Sequence, residues 1–106
     1  MKDLELLRKK MQLLSALEVA NSVPVLFAIY CAEGATTTKI NQLLSKYLGF
    51  SLSGGSLNNT LFSLASRNFV EVENEYSGGK LLRRRYKLTE KGLKLVEVLR
   101  EALRNL

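Results

Sequence analysis

The sequence contains no histidine and a single cysteine, Cys31. Without those residue types there is no Ser-His-Asp or Cys-His nucleophilic site, and nearly every zinc site is excluded as well. One cysteine cannot build a disulfide framework within the chain, which accords with a reducing compartment. Glycine-rich phosphate loops of the Gly-x-Gly-x-x-Gly and Gly-x-x-x-x-Gly-Lys types are missing. The acidic residues number 10 and are scattered, so carboxylate-held metal chemistry has no cluster to start from. No apolar run approaches the roughly 20 residues that a membrane-spanning helix requires. Lys2, Asp3 and Glu5 open an amphipathic stretch rather than a secretory signal. These absences lead us to expect a cytoplasmic protein with no membrane contact, metal or cofactor, and no enzymatic activity.

What is present is basic. Lysine and arginine total 16, giving a net charge of +6 on 106 residues. A small basic chain is drawn to polyanions, of which nucleic acid is the commonest in a cell. The length suits one domain with one core.

Hydrophobic spacing then divides the chain. From Asp3 to Ala20, Leu4, Leu7, Met11 and Leu14 recur at helical intervals, with Leu6, Leu13 and Leu17 widening the stripe. Ser22 can cap a second helix with Pro24 in its first turn, and VPVLFAIYCAE then runs to Gly34, apolar on most sides. Thr36–Thr38 offer caps for a third helix, with Ile40, Leu43, Leu44, Tyr47 and Leu48 inward and Gly49 as its stop. A fourth helix starts near Gly55 or Ser56 and ends at Arg67, with Leu57, Leu61, Leu64 and Ala65 facing in.

The period then drops to two. Val70 and Val72 alternate with Glu71 and Glu73, Ser77-Gly78-Gly79 is a hairpin turn, and the return strand sets Tyr86 and Leu88 opposite Arg83, Arg85 and Lys87. Thr89 caps a last helix carrying Val96, Leu99, Leu103 and Leu106. The expected fold is mainly α with a small antiparallel β-hairpin: a winged helix-turn-helix with extra N- and C-terminal helices. Its parts are an N-terminal dimerisation helix at 1–21, the winged-helix core at 22–89 and a C-terminal dimerisation helix at 90–106.

From Val23 onward the chain resembles the PadR-like group of regulators. The resemblance is densest in LGFSLSGGSLNNTLFSLASRNFVE and GGKLLRRRYKLTEKG, where Tyr86, Leu88, Thr89 and Gly92 match a Tyr-x-Leu-Thr-x-x-Gly segment. Asn58 replaces a tyrosine frequent in that group, and Asn68-Phe69 replaces its turn glycine. The resemblance implies a homodimer that binds double-stranded DNA and regulates transcription.

Helical phase puts Asn59, Ser63 and Ser66 opposite the buried leucines of the fourth helix, with Ser56 and Arg67 at the edges. Asparagine can pair with adenine and serine with any base edge, so Asn59 and Ser63 are expected to read the major groove. Asn58 is a candidate phosphate contact or a plain exposed residue. Ser53, Gly54, Gly55 and Ser56 offer a close backbone approach to a phosphate, or simply a cap and a turn. Lys80, Arg83, Arg84, Arg85 and Lys87 place five cations in eight residues. That density suggests a wing on the backbone or minor groove, while Glu71, Glu73 and Glu75 are expected as cross-strand partners. Leu4, Leu7, Met11, Leu14, Val96, Leu99, Leu103 and Leu106 are expected to pair two chains, because one small domain leaves such stripes uncovered. Cys31 reads as a small core residue. The alternative function is a winged-helix module for protein–protein contact without specific DNA binding, and a small-molecule effector is left open.

Overall fold

In the computed structural model, which describes residues 3–8, 21–32 and 34–105, the apolar segment after Asn21 forms the centre of the molecule. Helix α1 is seen as residues 3–8. It is followed by α2 (Ser22–Cys31), α3 (Thr37–Leu48), α4 (Gly54–Ser66), β1 (Val70–Ser77), β2 (Lys80–Leu88) and α5 (Glu90–Arg104). The order matches the sequence expectation. Residues 9–20, with Met11 and Leu14, and Leu106 lie outside the described residues, as does Glu33.

Every residue of α2 from Val23 to Ile29 is buried, because the helix is apolar on all sides and must be covered on all sides. Burying side chains of this size contributes about 1.5–3 kcal/mol each. Ser22 does not cap this helix as expected. Asn21 holds the cap position without a side-chain hydrogen bond, and Ser22 is the first helical residue. Pro24 still falls in the first turn, where its missing N–H has no partner to lose.

The other caps follow the sequence. Thr36 accepts from the Lys39 amide at 3.2 Å, Ser53 from the Ser56 amide at 3.2 Å, and Thr89 from the Gly92 amide at 3.0 Å. Gly49 ends α3 with φ of 77°, a left-handed conformation that glycine adopts without strain. Asn68 takes φ of 65° between α4 and β1. Asparagine is among the few other residues that tolerate this region, which explains how it can stand where a glycine is usual.

The two strands pair antiparallel, and Gly78 and Gly79 have φ of 58° and 79°, the positive pair that a tight two-residue hairpin turn needs. The register slips between Glu75↔Arg83 and Tyr76↔Leu81, leaving Leu82 as the extra residue of a bulge. Ala35 adds a short third rung: its amide donates to Tyr86 O at 3.0 Å and its carbonyl accepts from the Tyr86 amide at 2.8 Å.

The terminal helices do not leave their apolar stripes free. Leu4, Leu7, Val96 and Leu103 are buried in the same core as α2, and Leu99 is half-buried against it. Asp3 Oδ2 lies 3.1 Å from Arg100 Nε, whose N–H finds no well-directed acceptor among the described residues. Arg100 also reaches the Tyr30 hydroxyl at 3.3 Å and lies over its ring. These four leucine and valine positions therefore serve a single chain, as part of the core around α2, against which α3, α4, α5 and β2 pack. A different stripe on α5 is left: Val98 and Ala102 are exposed and Leu95 and Leu99 half-buried, at i, i+3, i+4 and i+7 spacing.

Candidate nucleic-acid interface

Asn41 controls the turn between α3 and α4. Its side-chain N–H donates to Leu52 O at 2.9 Å and its Oδ1 accepts from the Leu52 amide at 3.0 Å. Both ends of the amide are therefore satisfied by one backbone residue, and this fixes where Ser53 starts α4. With Leu57, Leu61 and Leu64 buried, α4 turns Asn58, Asn59, Phe62 and Ser66 outward.

The hairpin presents two unlike faces. On one, Glu75 pairs with both Arg83 at 2.9 Å and Arg85, while Lys87 pairs with Glu73 at 2.9 Å and Glu71 at 3.5 Å. The arginine hydrogen bond and charges hold the Glu75 carboxyl below the usual carboxylate range, and the glutamates raise Lys87. Arg85 has a further partner, donating from Nη1 to Gly34 O at 3.0 Å. On the other face stand Val72, Asn74, Arg84 and Tyr86, turned towards α4.

Between that face and α4 lies an open groove of about 480 Å³, bordered by Asn58, Asn59, Phe62, Val72 and Arg84. A second depression of about 600 Å³ runs from Arg84 past Leu81 and Leu82 to Thr36–Thr38 at the start of α3. Arg84 and Asn58 border both. Lys80 and Arg84 form no ion pair among the described residues.

Neither a protein-family model nor a curated protein matches the chain. Solved structures do. A PadR-like transcription factor from Bacteroides fragilis is similar with a TM-score of 0.73 at 22% identity, over 89% of this chain and 90% of that one. F93 from STIV, a winged-helix DNA-binding protein, has a TM-score of 0.66 at 21% identity, over 78% of this chain and 86% of that one. The fold is a winged helix. Bacillus subtilis PadR, solved in complex with operator DNA, has a TM-score of 0.62 at 20% identity, over 74% of this chain and 45% of that one.

In the winged-helix fold α4 is the helix that precedes the hairpin, and the hairpin is the wing. Ser53, Ser56, Asn58, Asn59 and Arg67 are exposed, where the sequence expected them. Ser63 is not in the central position foreseen for it. It is half-buried with Thr60, one turn back on the same side of the helix, so the inward arc is wider than the leucines alone imply. Phe62 stands on the outward face with Asn58, Asn59 and Ser66, at 75% exposure. The wing cations also divide: Arg83, Arg85 and Lys87 are committed to glutamates, whereas Lys80 and Arg84 keep their charge free of acidic partners among the described residues.

Sequence reading missed Asn41, whose role depends on a partner 11 residues away, and Phe62, which it placed on neither face of the helix. It also missed the apolar wing tip, where Tyr76, Leu81 and Leu82 are 63%, 43% and 59% exposed. Cys31 is half-buried against the core, and burial pushes its thiol up, with Asp3 adding to the shift. A raised thiol is poorly nucleophilic, consistent with a packing role. Among the described residues, no helix is long and apolar enough to cross a membrane.

Proposed function

We propose that this chain is a sequence-specific double-stranded DNA-binding transcription regulator that works as a homodimer. The recognition helix α4 enters the major groove with Asn59 against base edges, and Arg84 and Lys80 of the wing meet the backbone or minor groove. The observation that carries this reading is the convergence of Asn58, Asn59 and Arg84 on one groove between recognition helix and wing. Support also comes from a similar fold solved with operator DNA. Ser53, Gly54 and Gly55 allow close approach of a phosphate to the α4 N-terminus, whose amides favour an anion.

Dimerisation is assigned to the terminal helices, through the outer α5 stripe Leu95, Val98, Leu99 and Ala102 rather than the buried positions. A two-fold pairing of that stripe removes Val98, 65% exposed in one chain, from water.

The test is selection of bound duplexes from a random pool at near-physiological salt, followed by stoichiometry on the winner. An enriched palindrome bound by two chains is the expected result. Retention of duplex only at low salt and without sequence preference would favour protein–protein contact instead, a reading that the apolar wing tip at Leu81 and Leu82 supports.

A further inference from the structure

Phe62 is the most exposed large apolar side chain among the described residues, at 75%, and it sits in the middle of the outward face of α4. Asn58 and Asn59 lie one turn before it and Ser66 one turn after. Val72, 42% exposed, faces it across the groove that Arg84 and Asn74 also border. A lone exposed apolar residue would need no explanation. This one is ringed by hydrogen-bonding amides and a cation, on the face that the fold turns outward.

We infer that Phe62 reads the C5-methyl group of thymine in the major groove. The inference rests on the proposed DNA-binding function and specifies what the recognition helix recognises. The occupant follows from the mixed chemistry of the surface. Thymine is the one base that presents an apolar group to the major groove, and its partner adenine presents the N6–N7 pair that asparagine matches. An asparagine and a phenylalanine three residues apart on one helix face are neighbours about one turn apart, so adjacent A·T pairs satisfy both. Arg84 supplies the positive charge that holds a phosphate beside the same groove. A protein partner would gain from Phe62 and Val72 but would leave the surrounding asparagines and Arg84 in search of polar partners.

Replacing thymine by deoxyuridine removes the methyl and leaves base pairing intact, so it isolates this contact. Each thymine in the half-site of the selected duplex is replaced in turn, and binding is measured with the full chain and with Phe62→Ala. The exposure of Phe62 means that the variant should melt with the parent. We expect one thymine position per half-site at which deoxyuridine weakens parental binding about fourfold, the worth of one buried methyl. Phe62→Ala should weaken binding at least as much and be indifferent to deoxyuridine at that position, while Phe62→Leu retains part of the sensitivity. A parent indifferent to deoxyuridine everywhere, or an alanine variant still sensitive at the same position, overturns the assignment while DNA reading by α4 stands. Failure to enrich any duplex removes the reading beneath it as well.

Discussion

Gly92 lies so close to the carbonyl of Phe69 that a Cβ built on it would overlap the oxygen, with the Leu88 side chain only 3.3 Å away. The same carbonyl accepts from the Thr89 amide at 3.1 Å, and Thr89 Oγ1 bonds both Asn68 O and the Gly92 amide. The Leu-Thr-x-x-Gly run is thus a joint that seats α5 on the turn between α4 and β1. Gly92→Ala should cost about 1–3 kcal/mol, as overpacking does, seen as a melting point lower by roughly 4–8 °C per kcal/mol. An unchanged melting curve would show that the joint has slack.

Asn41 makes a second prediction. Asn41→Ala leaves the Leu52 amide and carbonyl without their partner, a loss of about 1–3 kcal/mol for groups away from water. Faster hydrogen exchange at Leu52 should accompany the lower melting point. Asn41→Asp keeps the acceptor and loses the donor, so its Leu52 amide should stay the better protected of the two variants.

The uneven wing predicts an uneven salt response. Arg84→Ala and Lys80→Ala should each flatten the slope of log affinity against log salt by about 0.9 for every phosphate left without its cation. Arg83→Ala should change it little, because Glu71, Glu73 and Glu75 together offset the charges of Arg83, Arg85 and Lys87 on that face. Equal effects from all three would mean that the glutamate pairs break on binding.

Acid should loosen the wing. The Glu75 carboxyl is held down chiefly by the Arg85 hydrogen bond, which outweighs the upward pull of desolvation. A carboxylate lowered in the folded state stabilises it above the unfolded value of about 4.3, and that contribution fades as pH falls through the lowered one. Amide signals of Val70–Ser77 followed by NMR from mildly acidic pH downward should report this loss. Glu75→Gln should remove that pH dependence.

Dimerisation through the outer face of α5 predicts that Val98→Asp yields a folded monomer by light scattering and circular dichroism. Leu103→Asp, placing a charge in the core, should unfold the chain instead. A Val98→Asp variant that remains dimeric moves the interface elsewhere.

Local rules make most of the fold legible. Thr36, Ser53 and Thr89 act as caps, Gly49 stops α3 and the two glycines turn the hairpin, each through interactions within a few residues. Ser22 misleads because Asn21, equally suited to capping, precedes it. What stays hidden depends on distant neighbours. Helical phase alone gives Ser63 an outward place, whereas tertiary packing half-buries it and leaves Phe62 exposed beside Asn59. Alternation puts Arg83 and Arg85 together on one strand face, but only the observed register shows Glu75 holding both. Leucine spacing in the terminal helices announces burial without saying in which chain.

The Ala35–Tyr86 rung has a consequence for how such a molecule would handle a duplex. Two backbone hydrogen bonds, with the Arg85 link to Gly34 O beside them, tie the wing to the entry of α3, and Asn41 ties α3 to the start of α4. In this structure those links hold α4 and the wing at one span, like the jaws of a caliper. If α4 lies in the major groove, Arg84 arrives at a fixed distance from it, and only sequences whose groove width matches that distance receive both. Base pairs that no side chain touches would then still count towards recognition.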